Sequence, residues 1–156
     1  MWWYSDASYG SDNKTKRGRS GFVFMSGGAA VSWGSKLQEV VALSSTEAEY
    51  MAICHAMQEG LYLSMLQTEM GIDRREGGTL LLVDNQSSIK LAENPVFHKC
   101  GKHISIRFHF IREKIVSGEM DLEFVRTLAM AADQLTKHVG VKVLNIGKAL
   151  MGMPSG

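Results

Sequence analysis

Hydrophobic and polar positions alternate in short blocks over the first third of the chain. Trp2 to Ala7 is an aromatic run that meets a carboxylate at Asp6. Ser11 to Ser20 is polar and basic, with Lys14, Lys16, Arg17 and Arg19, and predicts a hairpin loop. Gly21-Phe22-Val23-Phe24-Met25 and Ala29-Ala30-Val31-Ser32-Trp33 flank Ser26-Gly27-Gly28, a short run of turn formers, and predict two further strands. The first three strands should therefore form an antiparallel meander.

The period then changes. Ser44-Ser45-Thr46-Glu47 places hydroxyls ahead of an acidic first turn, a helix start, and good helix formers continue to about Met70, before Gly71. Leu80-Leu81-Leu82-Val83 is an apolar run within Thr79–Val83 that ends on Asp84, the pattern of a strand buried on both faces. Asn85 to Ala92 predicts a short helix stopped by Asn94-Pro95, and Lys99 to Val116 a third helix ended by Ser117-Gly118. Met120 to Val125 alternates as a strand, with Met120, Leu122 and Phe124 on one face, and a last helix is expected to start near Met130. The order βββαβααβα predicts an α/β chain with a mixed sheet flanked by helices.

Composition narrows the class. With 156 residues, 45% of them hydrophobic, the chain has the length of one domain and too much apolar surface for a disordered segment. Two cysteines, Cys54 and Cys100, make no disulfide framework. Neither a leader peptide nor an apolar run of membrane-spanning length is visible, so a soluble, unsecreted intracellular protein is expected.

Seventeen Lys+Arg against sixteen Asp+Glu give a net charge of +1, which by itself suggests no polyanionic partner. The distribution says more. Besides Lys14–Arg19, the segment Lys99–Lys114 holds five Lys/Arg and one acid, Glu113, a local charge of +4. On a helical wheel Ile104, Phe108, Ile111 and Ile115 form an apolar stripe. Lys99, His103, Arg107 and Lys114, with Phe110 among them, form a basic stripe about 90° away. Such a stripe is usually a solvated face.

The acids carry the candidate chemistry. Asp6 and Asp84 close two strands, and if these are neighbours both carboxylates emerge at one sheet edge, where open α/β sheets bind ligands. At about 100° per residue, Glu49 shares a face with Ala52, Ile53, Ala56, Gly60 and Leu63, small or apolar residues that permit close packing on a sheet. Glu47 points about 160° away and reads as a helix-terminus charge. Asp133 lies among Ala131, Ala132, Gln134 and Leu135 at the expected start of the last helix. Four converging acids would need divalent metal, and hard oxygen ligands favour Mg²⁺ or Mn²⁺. Two such ions about 3.5–4 Å apart suit in-line phosphodiester hydrolysis.

Several segments, in order, resemble the ribonuclease H domain of copia-type retrotransposon polyproteins. They are Tyr4-Ser5-Asp6-Ala7, Ser20 to Phe24, Ala42 to Ala52, Val83-Asp84-Asn85-Gln86-Ser87, Asn94 to His98, Lys102-His103-Ile104 with Arg107 to Arg112, and Ala132-Asp133-Gln134-Leu135-Thr136-Lys137. The resemblance is strongest over 4–138 of a single domain spanning 1–156, with a divergent tail over 139–156. It implies a ribonuclease H-like, five-stranded mixed sheet, the fourth and fifth strands parallel to the first. It implies Asp6, Glu49, Asp84 and Asp133 as the catalytic and metal-ligating set for two Mg²⁺ ions, with Mn²⁺ as a substitute. Ser45, Thr46 and Gln86 fall where such domains contact an RNA–DNA hybrid, and Lys99, His103, Arg107 and Lys114 extend that surface along the basic stripe. The implied activity is hydrolysis of the RNA strand of hybrids, with the reverse-transcriptase domain of a parent polyprotein as protein partner. The implied setting is a cytoplasmic virus-like particle or the nucleus.

Two departures from the pattern stand out: Phe124 to Met130 lacks the loop histidine of many cellular ribonucleases H, and Ser8 replaces a frequent second Asp. A catalytically degenerate nucleic-acid or protein-binding module is the alternative reading. His98, Cys100 and His103 supply only three candidate zinc ligands, too few for a structural site.

Overall fold

The computed structural model describes residues 2–72, 78–93 and 102–153. Strands β1 (Trp2–Ser8), β2 (Arg19–Ser26) and β3 (Ala29–Leu37) form the expected antiparallel meander. Helix α1 (Ser45–Glu69) then crosses to β4 (Thr79–Val83), which pairs parallel with β1. Helices α2 (Gln86–Glu93) and α3 (Lys102–Val116) lead to β5 (Met120–Phe124), parallel to β4. The sheet order is β3-β2-β1-β4-β5, so β1 lies at the centre with β4 beside it. Asp6 and Asp84 therefore stand on or just past adjacent parallel strands, at one edge of the sheet.

The expected start of α3 at Lys99 falls outside the described residues, as do Asn94 to Gly101. Strand β3 runs four residues past Trp33, because Gly34 to Leu37 continue the backbone ladder with β2 whatever their side chains prefer. The last helix is a correction. Near Met130 the chain makes two short 3₁₀ turns, Thr127–Ala129 and Asp133–Leu135, and helix α4 begins only at Val141, running to Leu150. Met130, Ala131 and Ala132 are all buried against Val23, Met25 and Met151, so packing on the strand face rather than helical periodicity sets the backbone here.

One face of the sheet carries the larger core. Trp3, Phe22, Phe24, Leu81 and Val83 from the strands pack with Tyr50, Ile53 and Met57 of α1, Ile111 of α3 and Met120. The small-residue face read from α1 serves this packing: a Cβ on Gly60 would lie 1.8 Å from the Trp3 ring. Trp3 is fully buried, whereas Trp2 is exposed. On the opposite face Val23 and Met25 pack with Met130, Ala131, Ala132 and Met151. No helix among the described residues is long and apolar enough to cross a membrane.

Candidate active site

The site is assembled from four directions. Alternation along β1 turns Asp6 into the protein, where it is fully buried, and its strand partner on β2 is Gly21. Asp84 follows the last residue of β4 and is half-buried. Helix α1 is fixed at its start by two side-chain bonds. Ser44 accepts from the Glu47 N–H at 3.1 Å, and Glu47 accepts from the Leu43 N–H at 2.9 Å. With Glu47 so employed, Glu49 turns toward the sheet, is buried, and accepts from the Ala7 N–H at 3.3 Å.

Asp6, Glu49 and Asp84 each bring a carboxylate oxygen within 4.8 Å of the others. Asp133 is outside that group. It sits on the second 3₁₀ turn, half-buried, with its Oδ1 held by the Lys137 ammonium. The same ammonium lies 3.4 Å from Asp6 Oδ1, so Lys137 links the fourth acid to the first. Three hydroxyl and amide donors fix the rest. Thr136 Oγ1 donates to Asp6 Oδ2, Thr127 Oγ1 donates to Asp84 Oδ2 at 2.9 Å, and the Ala7 N–H holds Glu49 Oε1. Glu49 Oε2 is buried with no hydrogen-bond partner among the described residues.

Gly21 allows this closure. A Cβ there would lie 2.6 Å from Thr136 Cγ2, 3.1 Å from Leu135 Cβ and 3.3 Å from the Ala132 carbonyl. The absence of that one carbon lets the 132–136 turn lie directly on the strand pair carrying Asp6.

Burial and like charge set the protonation. Burial first, then the Asp6 and Asp84 charges, push the Glu49 carboxyl up to about 9. Burial also raises Asp6 to about 6, against the lowering effect of Thr136 and Lys137. For Lys137 burial pulls the pKa down, but the Asp133 hydrogen bond and the surrounding acids outweigh it and the net shift is upward. Neighbouring carboxylates that resist ionising together, one with an unsatisfied buried oxygen, are a donor set suited to a hard divalent cation.

Ser45 and Thr46 open α1 about one turn before Glu49, Ser45 exposed and Thr46 half-exposed, and Gln86 is exposed at the start of α2. Of the basic stripe, Lys99 lies outside the described residues and His103 is in the first turn of α3. Arg107 pairs with Glu39 at 3.7 Å, and Lys114 with Glu119 at 3.0 Å and Glu113 at 3.7 Å. The apolar stripe packs inward: Ile111 is fully buried, with Phe108, Phe110 and Ile115 against the same core. Thr127, Thr136 and Lys137 had no role in the sequence reading. Within Ala132–Lys137 the resemblance assigns chemistry only to the Asp.

No family model matches the chain. It is 37% identical over 152 residues, 97% of its length, to the retrovirus-related Pol polyprotein from transposon TNT 1-94 of Nicotiana tabacum. It is 39% identical over 134 residues, 86% of its length, to the corresponding polyprotein from transposon RE1 of Arabidopsis thaliana. The chain covers 11% and 9% of these two relatives, a small part of each. Among solved structures, LC11-RNase H1 in complex with an RNA/DNA hybrid superimposes with a TM-score of 0.61 at 14% identity. That match covers 86% of this chain and 92% of the other.

Proposed function

The chain is a homologue of plant copia-type retrotransposon Pol polyproteins with the ribonuclease H fold, and we propose that it hydrolyses the RNA strand of RNA–DNA hybrids with divalent metal. One observation carries this reading. Three carboxylates from β1, α1 and the end of β4 converge within 4.8 Å, and Glu49 Oε2 is buried there without a donor. Asp6, Glu49, Asp84 and Asp133 would hold two Mg²⁺ ions, or Mn²⁺ in their place. Such ions supply an activated water and charge stabilisation for the leaving 3′ oxygen.

The protein's own groups do the positioning. Thr127 and Thr136 orient the Asp84 and Asp6 carboxylates, and the Ala7 N–H anchors Glu49, so that all three present oxygens to one point. Ser45, Thr46 and Gln86 offer hydroxyl and amide groups suited to reading 2′-hydroxyls in a shallow minor groove. Lys99 together with His103, Arg107 and Lys114 of α3 is proposed to meet the hybrid's backbone, with Arg107 and Lys114 exchanging Glu39 and Glu119 for phosphate. Because the relatives are Pol polyproteins, reverse transcriptase is the proposed protein partner.

The test is cleavage of an end-labelled RNA–DNA hybrid in Mg²⁺ by the wild type and by Asp84→Asn. Cleavage by the wild type that collapses in the variant is expected. Undiminished cleavage in the variant would overturn the assignment. Hybrid binding without turnover in either metal would identify a binding module instead.

A further inference from the structure

We infer that Lys137 is a built-in competitor for the metal site: its ammonium holds Asp133 and Asp6 through oxygens that a divalent cation would use, and so lowers the site's metal affinity. The inference rests on the metal-dependent reading above. Its basis is local geometry. Lys137 follows Asp133 by four residues, and its backbone N–H bonds to the Asp133 carbonyl at 3.2 Å, which folds the side chain back over its own turn. Its ammonium then bridges Asp133 Oδ1 and, at 3.4 Å, Asp6 Oδ1, while Thr136 takes Asp6 Oδ2.

The acids are thus unequally committed. Glu49 Oε2 has no partner among the described residues, whereas Asp133 Oδ1 and both oxygens of Asp6 are held by the chain's own donors. A cation drawn between Asp6 and Asp133 must displace a positive charge that already offsets part of theirs. The displacement is sterically easy, because the Lys137 side chain is 39% exposed and a flexible four-carbon stem can carry its ammonium into water. Lys137 is therefore a positioning residue. It holds the Asp133 turn against Asp6 and gives way as metal binds.

Direct Mn²⁺ titration, with free Mn²⁺ followed by its paramagnetic resonance and no nucleic acid present, tests this. Lys137→Met should bind Mn²⁺ about tenfold tighter than wild type, the order expected from removing one unit charge beside a divalent ion in a partly solvated site. Lys137→Arg, which keeps the charge, should stay within about twofold of wild type. Should Lys137→Met fail to fold by circular dichroism, Lys137→Gln keeps an amide donor without the charge and must show the same tightening. Equal or weaker Mn²⁺ binding in the uncharged variant would overturn the inference. Tighter Mn²⁺ binding together with no hybrid cleavage by the wild type would leave it standing and overturn only the proposed hydrolysis.

Discussion

The acidic site has two halves built on different principles. Asp6, Glu49 and Asp84 belong to β1, α1 and the end of β4, elements locked by strand pairing and by the Trp3–Phe24–Ile53–Met57 core. Asp133 belongs to a 3₁₀ turn, held by Thr136 and Lys137 and by the burial of Met130, Ala131 and Ala132 on the other face of the sheet. The first half is preorganised by regular structure, and the second by a few side-chain contacts. A site on regular elements holds its geometry when one contact is lost, while a site on a turn follows its anchors.

The largest expected effect separates the halves by activity. Asp6→Asn should cut hybrid cleavage by about a thousandfold, roughly 4 kcal/mol of transition-state stabilisation. Asp133→Asn should cost only about 10- to 100-fold, because Asp133 is a proposed ligand outside the close Asp6–Glu49–Asp84 group and is already held by Lys137. Single-turnover rates at saturating Mg²⁺ measure both, and equal losses would show that the turn is as tightly built in as the sheet.

Next in size is the joint between the halves. Gly21→Ala puts a Cβ where Thr136 and Leu135 now pack, and should destabilise the protein by about 1–3 kcal/mol in urea unfolding. The damage should concentrate on the turn. Amide exchange of 132–137 should therefore accelerate more than that of β1, and uniform acceleration would contradict the division.

The smallest effect concerns the sheet half alone. In the folded protein Asp6 and Glu49 are raised to about 6 and about 9, so they keep protons that the unfolded chain has already released. In chelator their contribution to stability is fully present below about pH 4 and is lost as pH rises through 6 toward 9. The melting temperature should therefore fall across that window, and saturating Mg²⁺ should oppose the fall most at high pH. Glu49→Gln should flatten the upper part of the decline, stabilising the chelated protein near pH 8 while abolishing cleavage. A melting temperature that rises with pH in chelator would contradict the assignment of buried, proton-retaining acids.

Much of the sheet half could be read without coordinates because its geometry follows from periodicity. Helical spacing separated Glu49 from Glu47, and the apolar run Leu80–Val83 marked the strand that brings Asp84 to Asp6. The turn half could not be read in this way. Asp133 was recognised by resemblance, but its element was misassigned, since Ala131-Ala132-Asp133-Gln134-Leu135 is as compatible with a helix start as with a 3₁₀ turn. Nothing local to Lys137 or Thr136 announces that each reaches Asp6, more than 130 positions away in the case of Lys137.

The order of elements, the meander and the inward face of α1 that carries Glu49 were thus determined by the sequence alone. Each depends on contacts between near neighbours or on a repeating period. Tertiary structure alone decided how the fourth acid is held, why β2 needs a glycine opposite Asp6, and which cation the chain itself supplies. Those features come from side chains brought together by the packing of the last turn on the sheet. Their cause is steric and electrostatic fit between distant segments, to which no local pattern is sensitive.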